Sequence, residues 1–138
     1  MFVLLEHRTD EPSGMGSARG PSRIHWDFLI EVPGQERLAT WRLADNPIGQ
    51  AGAVTAERIG DHRRVYLTYE GEISGGRGRV RRIDRGEAAL QTYAERELRA
   101  ELRGGRLAGC YEIVVASAER LVFRPVSASA AQSSSSPG

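Results

Sequence analysis

The chain has 138 residues, enough for one domain with a single core and too few for a multidomain enzyme. All 19 basic residues are arginine, which excludes Schiff-base chemistry and the lysine-dependent phosphate loop. The 18 acidic residues leave a net charge of +1. A nucleic-acid surface would therefore have to come from local clustering of arginine.

The N-terminal region and the cysteine content indicate the compartment. Only four apolar residues follow Met1 before the first charge, too few for a signal peptide or a membrane span. Cys110 is the single cysteine and cannot form an intramolecular disulfide; its apolar neighbours predict a buried thiol. We expect a soluble cytoplasmic protein without a membrane partner. Composition predicts a folded domain at 1–125, a mobile loop at 10–21 and a disordered tail at 126–138.

Short stretches of alternating apolar and polar residues predict a chain made mainly of β-strands. The predicted strands are 2–6, 23–32, 37–43, 62–70, 78–84, 107–115 and 121–124. The alternation places His25 and Asp27 on one strand face and Trp26 on the other. Trp26 and Trp41 lie inside strand patterns and are predicted core residues. The segment 87–102 fits a helix and a strand pair about equally well, so its pattern leaves α+β and all-β folds open.

His25 and Asp27 are two residues apart on one predicted strand and so project to the same side. An imidazole nitrogen with a carboxylate oxygen suits Mn, Fe or Zn. His7, at the end of the first predicted strand, could supply a third ligand. An isolated pair of this kind also occurs where the polar face of a strand simply meets water.

His62 and Tyr66 share a face of the predicted strand 62–70, too far apart for contact but able to line one groove. There the histidine could donate a proton or bind phosphate, and the tyrosine could hydrogen-bond an anionic oxygen. An exposed polar face is the alternative. The arginines between 63 and 85 form the densest basic patch, which fits either a nucleic-acid track or a solvated face balanced by acidic neighbours.

Five segments occur in an order that is more specific than any one of them. They are FVLLEH at 2–7, RIHWDFLIE at 23–31, LATWRL at 38–43, DHRRVYLTYEGEISGGRG at 61–78 and LRAELRGGRLAGCYEIV at 98–114. Together they resemble the 3'-phosphoesterase domain at the N-terminus of bacterial DNA ligase D, which also exists as a free-standing protein. The family's R-x-H-[YW]-D-[FL]-x-x-E strand and its spacing of His, Tyr and Glu-Gly are both present.

The resemblance implies a fold and an activity. The implied fold is mainly β, a small closed or partly open β-barrel of about 6–8 antiparallel strands with long loops, in which 87–102 is strand rather than helix. The implied enzyme uses Mn²⁺, or Zn²⁺ or another divalent transition metal, to remove 3'-phosphates or 3'-terminal ribonucleotides in DNA end repair. Its partners would be DNA or RNA/DNA 3' ends, with a ligase or polymerase supplied by a separate chain.

The resemblance also implies site residues. The implied metal ligands are His7, His25 and Asp27. The residues implied at the scissile phosphate are His62 and Tyr66. From their proximity to these motifs or their place in the basic patch, we also expect five arginines to bind phosphate or nucleic acid: Arg23, Arg58, Arg64, Arg77 and Arg79.

This chain departs from the family pattern at two positions. The family's phosphate-binding arginine falls on Leu29, and its lysine after the tryptophan strand falls near Asp45. Leu29 therefore favours an alternative, a catalytically impaired module of the same fold that binds nucleic-acid ends. A metal-binding β-barrel acting on a small molecule is a third hypothesis, favoured by the near-neutral charge.

Overall fold

A computed structural model of the chain describes residues 1–9, 23–73 and 78–126. The strands in these ranges are β1 (Phe2–Thr9), β2 (Arg23–Ile30), β3 (Leu38–Leu43), β4 (Val54–His62), β5 (Gly71–Glu72), β6 (Arg79–Ala94), β7 (Glu97–Gly104), β8 (Ala108–Ser117) and β9 (Arg120–Pro125). A short 3-10 helix, Arg64–Leu67, follows β4. The predicted loop at 10–21 lies outside the described residues, as does the predicted tail beyond position 126. Among the residues described, no helix is long and apolar enough to cross a membrane.

The strands form one antiparallel sheet in the order β1-β2-β3-β4-β9-β8-β7-β6-β5. An additional β1–β6 pairing closes eight of them into a ring, with β5 as an extra strand beside β6. The ring is uneven, since β4 and β9 pair over three residues and β6 and β7 over eight. Each of those eight strands therefore pairs with a neighbour on both sides over at least part of its length. The predicted mainly-β antiparallel fold is confirmed, and 87–102 forms the β6–β7 hairpin rather than a helix.

The two faces of β1, β2 and β3 are both buried, but against different groups. The inner face contributes Phe2, Phe28 and Trp41 to a large cluster enclosed by the ring, and Trp26 packs partly buried against it. The outer face carries a smaller cluster, which consists of Val3, Leu5, Leu29, Leu38 and Val80. The core assignment of both tryptophans is confirmed. Cys110, predicted to be buried, is only partly buried.

The predicted strand 62–70 is wrong. The strand ends at His62 after running from Val54, and the chain then turns into the 3-10 helix. Tyr66 and Leu67 both pack against the outer cluster. Adjacent residues of a strand point to opposite faces, so an extended segment could not place both there. The alternation of polar and apolar residues after His62 therefore reflects a covering segment rather than a strand.

A buried carboxylate holds the loop between β7 and β8. Asp84 on β6 is 7 % exposed. Its two oxygens accept hydrogen bonds from the backbone N–H groups of Gly105, Arg106 and Leu107 at 2.6–3.1 Å. Gly104 must be glycine at this point, because a Cβ there would lie 2.5 Å from Asp84 Oδ2 and 2.6 Å from Cζ of Phe2. The carboxylate thus satisfies backbone donors that the sheet cannot reach.

We expect Asp84→Ala to lower the free energy of unfolding by about 2–4 kcal/mol, since bonds to a charged acceptor contribute about 1.5–3 kcal/mol each and are not additive. Urea denaturation followed by circular dichroism measures the change. Glu87→Ala, at an exposed position of the same strand, is the control and should change stability by less than about 0.5 kcal/mol. Equal stability of the two variants would contradict the role of Asp84.

Candidate metal and phosphate site

The pairing of β1 with β2 brings the predicted metal ligands together. His7 is directly opposite His25, and Leu5 is opposite Asp27. Directly paired residues of antiparallel strands project to the same face, so both histidines and Asp27 lie on the outer face. Nδ1 of His7 is 2.9 Å from Nε2 of His25. A cross-strand register thus assembles three ligand-type side chains that are far apart in the sequence.

The donor atoms of this triad fit a divalent metal ion. One atom each from His7, His25 and Asp27 lie within 4.8 Å of one another. Asp27 is 2 % exposed, and its Oδ2 is 4.0 Å from Nδ1 of His7. Two imidazole nitrogens and a carboxylate oxygen are ligands for Mn, Fe or Zn. The described part of the chain therefore contains a triad able to hold a metal ion, on the residues that the sequence predicted.

The surroundings of His25 favour the form that binds metals. Burial, and next the Arg42 guanidinium, lowers the pKa of His25; His7 acts in the same direction and Asp27 opposes it. A lowered pKa keeps the imidazole of His25 neutral at pH values near the ordinary pKa of histidine. Metals bind the neutral imidazole, so the environment of His25 prepares it as a ligand.

A β-bulge turns His62 toward the same cavity. Leu38 pairs with His62 and Thr40 with Ile59, so β4 has one more residue than β3 over this stretch. An extra residue reverses the inward and outward alternation beyond it, which brings His62 to the outer face. Its Nε2 lies 3.9 Å from Oδ2 of Asp27. His62 therefore faces the buried carboxylate across strand β3.

His62 and Tyr66 are in direct contact, contrary to the prediction that they are too far apart. Their ring centroids are 5.5 Å apart in an edge-to-face arrangement, because the 3-10 helix folds Tyr66 back. Nδ1 of His62 donates a hydrogen bond to the carbonyl of Gly60 at 2.9 Å, which leaves Nε2 directed at the site. The local fold thus fixes both the orientation and the tautomer of His62.

His7 and Asp27 of the triad border one small cavity of about 60 Å³ together with the His62–Tyr66 pair. Its lining residues are Leu5, His7, Asp27, Arg42, His62, Tyr66, Ile73 and Val80. Arg42 is the polar lining residue that was not predicted from the sequence. It lies directly opposite Asp27 in the β2–β3 pairing, and its Nε is 3.5 Å from Asp27 Oδ1. Strands were predicted at 23–32 and 37–43, so pairing them residue by residue as neighbours could have found this arginine.

Three of the predicted phosphate-binding arginines lie away from this cavity. Arg58 faces the inside of the ring, where it covers Trp41 at 4.7 Å and bonds Asp61 and Tyr93. Arg64 forms an ion pair with Glu31. Arg79 lies on the face of the sheet opposite to His7, beside Glu72.

Two predicted arginines remain. Arg23 is exposed at the start of β2, on the same face as His25 and two residues before it. Arg77 lies outside the described residues. Of the predicted basic set, only Arg23 is therefore placed on the face of the cavity by the described structure.

The fold and the site define a small all-β domain with a histidine- and carboxylate-lined cavity on the outside of its strand ring. The chain matches the family described as the DNA Ligase D 3'-phosphoesterase domain over residues 19–115. That match covers well over half of the 138 residues, and the chain belongs to this family. No curated protein matches the chain significantly. His7 precedes the matched segment, and the pairing of β1 with β2 is what connects it to the site.

Loss of a residue that only orients a metal ligand weakens metal binding by about 10–100-fold. We expect His25→Ala to weaken Mn²⁺ binding by more than that. The reason is that the substitution removes one of three ligands. Titration calorimetry on metal-free protein measures the affinity. His62→Ala is the control, because His62 is outside the triad, and it should bind Mn²⁺ nearly as well as the original chain. Equal affinity in His25→Ala and the original chain would refute the triad.

Proposed function

We propose that this protein is a divalent-metal-dependent phosphoesterase, with Mn²⁺ as the leading metal, that removes 3'-phosphates or 3'-terminal ribonucleotides from DNA ends. One observation carries the proposal: two members of the metal-type triad, His7 and Asp27, border the same cavity as the His62–Tyr66 pair. Membership of the 3'-phosphoesterase family supports the reaction class. Two imidazole ligands beside one carboxylate support the choice of a transition metal over magnesium, which prefers oxygen ligands.

The triad would hold the metal through His7, His25 and Asp27. A bound divalent cation supplies charge stabilisation at phosphoryl oxygens and lowers the pKa of water. Asp27 is the charged member of the set, and its burial limits competition from solvent. The β1–β2 pairing holds the imidazoles of His7 and His25 side by side.

His62 and Tyr66 would bind the scissile phosphate. Because Nδ1 of His62 is bonded to the Gly60 carbonyl, Nε2 is the atom that can donate to a phosphate oxygen when the ring is protonated. The Tyr66 ring packs against that imidazole and restricts its rotation. A positioned donor of this kind stabilises the negative charge that develops in the transition state.

The cavity size supports action on chain ends. Its volume of about 60 Å³ is far below the roughly 300–1,000 Å³ of pockets that enclose whole small molecules. It therefore fits a terminal phosphoryl group and leaves the nucleoside outside, on the exposed surface that includes Arg23. The product would carry a 3'-hydroxyl. A ligase or polymerase would use that product.

Leu29 supports the alternative, a catalytically impaired module of the same fold that binds nucleic-acid ends. It is fully buried in the outer cluster, so the position of the family's phosphate-binding arginine offers no polar group. Such a module would bind 3' ends without releasing phosphate. Turnover is the measurement that separates it from the enzyme.

We expect the protein with Mn²⁺ to convert an oligonucleotide 3'-phosphate to a 3'-hydroxyl and to remove a single 3'-terminal ribonucleotide, and to do neither in EDTA. His62→Ala should lower kcat by about 10²–10³-fold, as does the loss of one transition-state donor in other enzymes. Gel analysis of the labelled oligonucleotide measures both reactions.

Tyr66→Phe should also lower activity. Its matched control is Tyr111→Phe. Tyr111 stacks on Phe123 in the inner cluster and does not border the cavity. If no product forms with Mn²⁺, Zn²⁺ or any other divalent transition metal while 3' ends are still bound, the protein is the binding module and not the enzyme.

A further inference from the structure

We infer that Arg42 is the residue that recognises the substrate phosphate and sets the preference of this chain for a terminal 3'-phosphate. This inference rests on the proposed function and names the group that selects the substrate. Its basis is the position of Arg42 at the cavity, opposite the buried Asp27. Among the described side chains that line the cavity, Arg42 is the one guanidinium, which stays positively charged at all physiological pH values.

The contact that holds Arg42 at the cavity uses only one nitrogen of its guanidinium. Its side chain is 39 % exposed, and Nε points to Asp27 Oδ1 at 3.5 Å. Oδ2 of the same carboxylate faces His7 and His62 at 4.0 and 3.9 Å. Asp27 therefore lies between the Arg42 guanidinium and the imidazoles of His7 and His62. The carboxylate, the guanidinium and these imidazoles all border the same small cavity.

The free end of the guanidinium suits phosphate. Within the described ranges, the two terminal nitrogens of Arg42 have no hydrogen-bond or ion-pair partner. A guanidinium binds two oxygens of a phosphate at once with a fixed fork. With Nε on the carboxylate, the terminal nitrogens remain available for an anion entering the cavity from solvent.

Arg42 is the one arginine that lines the cavity in the described part of the chain. Arg58 is engaged inside the ring, and Arg64 is paired with Glu31. Leu29 is apolar and buried on the outer face, two residues along the same strand from Asp27. In this chain, the guanidinium at the cavity therefore comes from Arg42, the residue of β3 that pairs with Asp27.

The expected consequence is a preference for ends with a phosphate monoester. A monoester carries close to two negative charges at neutral pH, as a phosphorylated side chain does, and a 3'-hydroxyl end has no terminal phosphate. A permanent cation at the cavity attracts the dianion most strongly. We expect the protein to bind a 3'-phosphate oligonucleotide at least about 10-fold more tightly than its 3'-hydroxyl counterpart, because a charge-assisted bidentate contact is among the stronger polar interactions.

The test compares Arg42→Ala, Arg42→Lys and the original chain in two measurements. The first is fluorescence anisotropy with 3'-phosphate and 3'-hydroxyl oligonucleotides in EDTA, where no turnover occurs. The second is kcat/KM for phosphate release with Mn²⁺. We expect Arg42→Ala to abolish the binding preference and to lower kcat/KM by about 10–100-fold. Arg42→Lys keeps the charge and loses the fork, so it should be intermediate.

Arg103→Ala is the matched control. Arg103 lies on β7, is 71 % exposed, contacts Glu101 and does not border the cavity, so both measurements should be unchanged. Circular dichroism checks that each variant is folded. Arg42→Lys decides the outcome if Arg42→Ala fails to fold, since it retains a cation beside Asp27.

The two proposals fail in different ways. A binding preference and a kcat/KM that survive in Arg42→Lys and Arg42→Ala would overturn the role of Arg42 and leave the phosphoesterase intact. If the original chain releases no phosphate, the proposed function fails, and the anisotropy arm still decides Arg42: a preference lost in the variants supports it. If the original chain shows no preference for 3'-phosphate, Arg42 is not the selecting residue.

Discussion

The pairing of β1 with two neighbours, β2 on one side and β6 on the other, is the constraint on which the remaining structure depends. It closes the ring, and it also fixes which residues of β1 face inward. Because the side-chain period of a strand is two, a shift of one residue would send Leu4 outward and His7 inward. Phe2 and Leu4 fill the ring, and burying each such side chain contributes about 1.5–3 kcal/mol. The inner core therefore sets the register that aligns the site.

The site depends equally on the cover of the outer face. Antiparallel sheets commonly leave one face to water, but here the segment after β4 lies across β1, β2 and β3. Tyr66 and Leu67 pack on Leu29 and its neighbours, and Tyr66 also contacts His62. Apolar packing thus places an aromatic side chain at the cavity and removes water from around Asp27. Charges in such a place interact more strongly than they would at an open surface.

Periodicity in the sequence was enough to predict part of the site. Alternation in 23–32 correctly placed His25 and Asp27 together and Trp26 in the core. It could not predict the contact between His62 and Tyr66, because a bulge and a 3-10 turn both break the period of two. The segment 87–102 was undecided for a related reason. Its helix-forming composition is overridden by the pairing of β6 with β7 and of β7 with β8, which no local pattern records.

Arg42 shows a further limit, because its role depends on a partner strand. Its own pattern, an arginine between Trp41 and Leu43, is typical of an ordinary outward residue. Only the β2–β3 register reveals that it faces Asp27. Leu29, two residues along β2, gives the other half of the explanation. A guanidinium there would have to be buried in the outer cluster, whereas leucine strengthens the packing of that cluster at little cost. An arginine across the strand keeps a cation at the cavity and leaves the apolar cover intact.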